Sequence, residues 1–257
     1  MIRTLFIIAA AALVLCLASL GGAAALGSRD LAANDWTWII TDDGDADDIH
    51  FRRGSVGPDV TRTIAWSGGD TLVVDLSADV TYVQGDKPGV VVRGPQQAVQ
   101  RVRLVDGRLT LEDDDDQERG YMRLGRNGLR IFSETEMLKI TVTAPSVNSF
   151  RVAGSGDLTV EGYDQPSLAL QLDGSGDVEV DGRASKLELR INGSGDAGLE
   201  GLAVADAVID LAGSGEADVG PTGAVSVDIS GSGDLNLTRR PASIQQDVTG
   251  SGEVDGI

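Results

Sequence analysis

Short alternations of apolar and polar residues dominate the second half of the chain. LALQLD, LELRIN, AVIDLA and VSVDIS each precede a glycine turn, and LTVEG, VEVDG, AGLEG, ADVGP and LNLTR follow one. Apolar residues at every second position mark a strand with one buried face, because successive side chains point to opposite sides of the backbone. A helix would need recurrences at three and four. The face assignment holds from copy to copy. Leu168, Leu170 and Leu172 stand where Leu187, Leu189 and Ile191 stand one unit on, followed by Ala207, Ile209 and Leu211, then Val225, Val227 and Ile229. After the turns, Leu158 and Val160 match Val178 and Val180 in the same way.

The turns themselves repeat. G-S-G-D/E begins at Gly154, Gly174, Gly193, Gly213, Gly231 and Gly250, at intervals of 20, 19, 20, 18 and 19 residues. One unit is therefore strand, turn, strand, second turn. A pair of short strands is marginal alone. Units stacked in register join their narrow apolar stripes into one continuous core, which is how a solenoid is stabilised. A meander of hairpins predicts no such fixed period with constant face assignment. Parallel stacking over residues 148–257 is the expectation. The last unit is degenerate, with Ile244 and Gln246 where Val225 and Val227 stood. Terminal repeats are commonly atypical.

The segment before the repeats also reads as strands, with no convincing helix: WTWII, HFRR, TRTIAW, TLVVDL, DVTYVQ, GVVVRG, VQRVRLV, RLTLE, LRIF and LKITVTA. Most aromatics lie here, among them Trp36, Trp38 and Trp66. They are expected to cap the open end of the solenoid, with sugar stacking as the sharper alternative. The acidic runs DDGDADD (Asp42–Asp48) and EDDDDQE (Glu112–Glu118) read as solvated loops, the second within a mobile loop from Asp113 to Gly128. The first begins like an EF-hand with Asp43, Asp45 and Asp47. It then fails, with Asp48 at the glycine position and Gly54 where the final Glu belongs.

Charge and composition narrow the function. The 257 residues carry 21 Lys+Arg against 40 Asp+Glu, a formal net charge of −19, with 41% apolar residues and 4% aromatics. So acidic a chain is poorly suited to nucleic acid, which demands a cationic surface. A single cysteine and a single histidine exclude a disulfide framework and a Cys/His zinc site. Residues 1–25 have the form of an export signal: Arg3, the uncharged run from Leu5 to Leu20, then small residues at Ala23 and Ala25. The uncharged stretch from Thr4 to Ser28 is also long enough for a retained anchor, in which case the membrane is a partner. Leu15 before Cys16 argues against lipidation. Either way the rest of the chain is expected outside the cytoplasm, in the periplasm or at the cell surface of a bacterium.

The candidate site residues are the serines and acids of the turns: Ser155 and Asp157, Ser175 and Asp177, Ser194 and Asp196, Ser214 and Glu216, Ser232 and Asp234, Ser251 and Glu253. Their expected role is structural. Glycine allows positive φ, aspartate bonds nearby backbone N–H groups, and serine bonds along the stack. The sharper alternative is a cation ladder, with carboxylates about 4.8 Å apart. One carboxylate per turn is a thin basis for the six or more oxygens calcium takes, so no cofactor is expected. Catalysis is not expected either. G-S-G lacks the G-x-S-x-G elbow, and His50 is the one histidine available as a base for six serines. Asp173, Glu179 and Asp181 read as solvated faces.

DTLVVDLSADVTYVQGDKPGVVVRG, VDGRLTL and LKITVTAPSVNSFRVAGSGDLTVEG, followed by the repeated G-S-G-D turns, resemble the bacterial head GIN domain family of auto-transporter adhesins. The likeness runs from about Asp70 to the C-terminus, outside the acidic insertion near 113–128. It implies a right-handed parallel β-helix and brings no catalytic residues to carry over. The expected organisation is thus a leader at 1–25, a β-rich flank at 26–69 and a β-solenoid domain at 70–257. The expected function is that of an exported, non-enzymatic envelope protein binding an envelope component, a glycan or a cell-surface ligand. The alternatives are an assembly subunit that self-associates through its solenoid ends, and a polysaccharide-acting β-helix enzyme.

Overall fold

The computed structural model describes residues 36–42, 49–53, 57–112, 120–125 and 128–256. The leader with Arg3 and Cys16, and the acidic residues 43–48 and 113–119, lie outside the described residues. The chain divides into two compact units. Residues 1–56 and 116–133 make the smaller, and residues 57–115 and 134–257 the larger.

The smaller unit is a four-stranded antiparallel sheet. Its strands are β1 (Trp36–Asp42), β2 (Ile49–Arg53), β9 (Gly120–Gly125) and β10 (Gly128–Ser133), in the order β10-β9-β1-β2. The segment Gly120–Gly125, expected within a loop, is therefore a central strand, with Tyr121 opposite Ile39 and Met122 opposite Trp38. Tyr121 is buried and stacks on Phe132 at 5.8 Å between ring centroids. Its alternation matched that of LRIF, but the long acidic run before it hid the pattern.

The larger unit is the parallel β-solenoid. Its strands before the repeats are β3 (Asp59–Ile64), β4 (Thr71–Asp75), β5 (Asp79–Gln84), β6 (Gly89–Pro95), β7 (Val102–Val105), β8 (Arg108–Leu111) and β11 (Lys139–Ala144). The repeats give β12 (Ser149–Gly154), β13 (Asp157–Gly174), β14 (Val178–Gly193), β15 (Ala197–Gly213), β16 (Glu216–Pro221), β17 (Ala224–Gly231), β18 (Asp234–Leu237), β19 (Ser243–Gly250) and β20 (Val254–Gly256). The long strands bend and serve two faces. Face A runs β3-β6-β11-β5-β13-β14-β15-β16-β18-β20, and face B runs β7-β8-β4-β12-β13-β14-β15-β17-β19. All coil-to-coil pairs within the repeats are parallel, with like positions in register: Leu170 pairs Leu189, Leu189 pairs Ile209, and Ile209 pairs Val227.

The core is the sum of these stripes. Leu189, Val180, Leu199 and Val219 are fully buried, and their neighbours above and below are within a few percent of it. Each such aliphatic side chain contributes about 1.5–3 kcal/mol by leaving water. The aromatics lie at one end of this column. Phe150 meets Tyr82 edge-on at 5.0 Å and Tyr163 at 6.2 Å. Burial raises the pKa of both tyrosines, and each hydroxyl donates to a carbonyl: Tyr82 to Ala144 at 2.8 Å and Tyr163 to Ser167 at 2.6 Å.

The N-terminal end of the column is closed by a device the alternation did not predict. Residues 99–101, read as the start of the strand VQRVRLV, instead end a short helix, α1 (Gln96–Arg101). Pro95 ends β6 and fixes the entry, and Gln-Gln-Ala-Val-Gln-Arg contains several good helix formers. Because β6 belongs to face A and β7 to face B, α1 crosses the end of the coil, where Ala98 and Val99 are buried. Arg62, on the edge strand β3, donates to the carbonyls of Val99, Gln100 and Val102 at 3.2–3.3 Å. These accept bonds that the end of a helix otherwise leaves unmet. An inward-pointing arginine also guards the sheet edge against further pairing. Trp66 packs half-buried against the core, whereas Trp36 and Trp38 lie in β1 of the smaller unit. On the last described coil, Ile244 and Val248, in register with buried Val225 and Ile229, are 44% and 38% exposed.

Candidate functional site

Each G-S-G-D turn uses its four residues for distinct purposes. Gly174 sits at φ +142°, a region other residues rarely adopt. Gly176 has an ordinary φ, but a Cβ there would collide with the Gly156 carbonyl of the coil beneath. The first glycine meets both a conformational and a stacking requirement, since a Cβ on Gly174 would also collide with the Gly154 carbonyl, whereas the second meets the stacking requirement alone. The serine N–H donates down the stack, from Ser175 to the Gly154 carbonyl and from Ser194 to that of Gly174, both at 2.9 Å. Ser214, Ser232 and Ser251 repeat this at 2.7–2.8 Å. All six serine side chains are exposed.

The aspartates form a second ladder. Asp157 accepts the N–H of Asp177 at 3.1 Å, Asp177 that of Asp196 at 3.0 Å, and Asp196 that of Glu216 at 2.8 Å. Asp234 accepts from Glu253 at 2.9 Å. The step from Glu216 to Asp234 breaks the pattern, and Asp234 donates to the Gly215 carbonyl at 3.2 Å instead. Glutamate, one methylene longer, does not present its oxygen at the same place. One oxygen of each bonded carboxylate is thus tied to backbone. Among the described residues no three His, Cys, Asp or Glu side chains converge to hold a metal ion.

The structure adds a turn that the glycine pattern concealed. Leu76-Ser77-Ala78-Asp79 is the coil beneath Gly154-Ser155-Gly156-Asp157: Val152 pairs Val74 and Asp157 pairs Asp79. Ser77 and Ser155 share a hydroxyl hydrogen bond at 3.0 Å. The signal was present as V-x-x-S-x-D-x-T, shared by residues 74–81 and 152–159. It was hidden because the insertion from β6 to β11 separates two neighbouring coils by 78 residues rather than by about 19.

Face A carries the more distinctive outward surface, a groove of about 780 Å³. Two side-chain rows run across it. In the first, Arg93 of β6 stands opposite Lys139 of β11, Lys139 beside Asp79 of β5, and Asp79 beside Asp157, with Asp177 and Asp196 beyond. In the second, Thr141, Thr81 and Thr159 lie side by side and lead to Glu179. The face B arginines are all neutralised within the sheet: Arg103 by Glu112, Arg108 by Asp75, Arg151 by Asp173 at 2.6 Å and Arg190 by Glu188 at 2.8 Å. Asp173 is held below the usual carboxylate range. Partial burial opposes this, but bonds from Asn192 and Gln171 and the Arg151 guanidinium outweigh it. Among the described residues, Arg93 and Lys139 have no such partner. Reading the turns as the candidate surface missed these residues. The shared threonine register of DVTYVQ, KITVTA and DLTVEG was the available signal.

The family model described as "Putative auto-transporter adhesin, head GIN domain" matches residues 70–241. The chain belongs to the head GIN domain family. A crystallised "putative adhesin" from Bacteroides fragilis shares the fold at 18% identity and a TM-score of 0.59, with 78% of this chain and 97% of that one covered. A "putative lipid binding protein" from Parabacteroides distasonis aligns at 19% identity and a TM-score of 0.47, and a "putative adhesin" from Parabacteroides merdae at 17% and 0.47, each over 78% of this chain and 97% of the other. No curated protein matches the chain in sequence. The family supports an adhesin-like role in the cell envelope or at the cell surface. No helix among the described residues is long and apolar enough to cross a membrane.

Proposed function

We propose that this head GIN domain protein is exported and serves, without catalysis, as a binding module of the bacterial envelope that holds its partner on face A of the solenoid. The observation that supports this reading is the groove on that face, where cations, hydroxyls and carboxylates lie in rigid rows with the turns already committed to backbone bonds. A stacked sheet fixes side-chain spacing without a loop to order, so little entropy is lost on contact. The export-signal pattern of residues 1–25 supports a location outside the cytoplasm. Its partner is an envelope component, a glycan or a cell-surface ligand.

Export is tested by following a C-terminally tagged copy under protease. Digestion in intact cells, or once the outer envelope is breached, is the expected result, with a cytoplasmic marker left intact. Survival alongside that marker would remove the envelope role. The second reading, an assembly subunit, is favoured by one observation, the uncovered Ile244 and Val248 at the end of the column. It predicts concentration-dependent oligomers by light scattering, and a strict monomer contradicts it.

A further inference from the structure

Arg93 and Lys139 stand opposite each other across β6 and β11. Like charges placed directly opposite on a sheet are destabilising. In a chain of net charge −19, counter-ions for two cations are abundant. Even so, neither side chain reaches a carboxylate of the described residues within ion-pair distance, although Asp79 is the ladder neighbour of Lys139. Both are exposed at the rim of the groove. Thr141, Thr81 and Thr159 present hydroxyls in the adjoining row, and Glu179 and Asp177 supply acceptors beyond them.

We infer that Arg93 and Lys139 form an anion subsite that receives the carboxylate of an acidic sugar, while the threonine row and the carboxylates beyond it bind the hydroxyls of the same glycan. The inference rests on the proposed partner-binding role of face A. A planar guanidinium beside an ammonium matches a carboxylate through charge-assisted hydrogen bonds. Threonine hydroxyls donate and accept, and free carboxylate oxygens accept from sugar O–H groups. A polyhydroxyl chain suits this surface better than a peptide does. The groove lies on the face of a sheet whose backbone groups are already paired between strands. An extended peptide therefore finds no edge on which to add a strand. The six carboxylates along the groove, those of Asp79, Asp157, Asp177, Glu179, Asp196 and Glu200, repel polyanions such as nucleic acid. They restrict the ligand to one acidic group at the cationic end.

The test is binding of the full exported chain to immobilised oligosaccharides ending in glucuronate, galacturonate or sialate. Each is paired with its methyl ester, which keeps every hydroxyl and removes the charge. The expected result is retention of at least one acid form with tenfold or weaker binding of its ester. Arg93→Gln and Lys139→Gln should each lower affinity about tenfold, and the double variant should abolish the preference for acid over ester. Both residues are exposed, so circular dichroism and melting of the variants should match the parent. Equal binding of acid and ester, or unchanged binding by the variants, would overturn the subsite. Should face A capture an envelope peptide or a neutral glycan and no acidic sugar, the subsite fails while the binding role stands. If nothing from envelope or cell surface is retained, the role itself fails.

Discussion

Asp177 shows how a repeated residue can look like a ligand yet hold the fold. Two carboxylates about 4.8 Å apart repel by roughly 1 kcal/mol in water. Here each bonded aspartate is partly offset by the backbone N–H it accepts. Asp177→Ala should therefore cost about 1 kcal/mol by removing the acceptor for Asp196, seen as a lowered thermal midpoint with no change on adding calcium. The two glycine roles separate in the same way. Gly176→Ala forces a Cβ into the Gly156 carbonyl and should destabilise by several kcal/mol, or prevent folding. Gly162→Ala, at φ +64° with open space around it, should cost only about 1 kcal/mol. Denaturant titration of the two variants distinguishes them. Asp173 adds a pH dependence. Its folded-state pKa is depressed, so its stabilisation is present above the ordinary carboxylate pKa and is lost as pH falls through the lowered value. Asp173→Asn should therefore lower stability at neutral pH, leave stability in strong acid little changed, and so flatten the acid limb of a stability–pH curve.

At the scale of elements, the repeats were legible because period two and a fixed spacing are both properties of the sequence. The paired registers of β13, β14 and β15 are those the alternation implies. Three elements were not legible, for different reasons. The first coil lacks the glycines of its turn and is separated from its neighbour by the insertion. α1 is six residues long, too short for a helical period to show, and its position is decided by Pro95 and by the open end that Ala98 and Val99 cover. β9 follows an acidic run that masked its alternation. The cap also carries a prediction. Arg62→Ala removes the side-chain donor of the Val99 carbonyl, while Gln100 and Val102 still accept from Arg103, and should destabilise by about 1 kcal/mol. Leu189→Ala in mid-column should cost about 2–5 kcal/mol, and Ile244→Ala on the uncovered last coil far less. Urea melts of the three variants would give that order, with Leu189→Ala the most damaging.

On the scale of the molecule, the solenoid has an end covered by α1, a last described coil with exposed apolar residues, and two unlike faces. Face B neutralises its arginines internally, while face A leaves Arg93 and Lys139 open beside a threonine row. The sequence pointed to the turns as the candidate surface because they repeat most visibly. Repetition there reflects the demands of stacking; the turn acids Asp157, Asp177 and Asp196 also line the groove, but its cations come from β6 and β11, which the regular repeat does not contain. The measurement that tests the account most directly is retention of envelope and cell-surface components by the intact chain and by two double variants. Thr81→Lys with Thr159→Lys fills the groove on face A, and Ser226→Lys with Gln245→Lys places the same charge on face B. The account predicts that the face A variant loses the bound component while the face B variant keeps it. Retention by the face A variant, or loss confined to the face B variant, would contradict it.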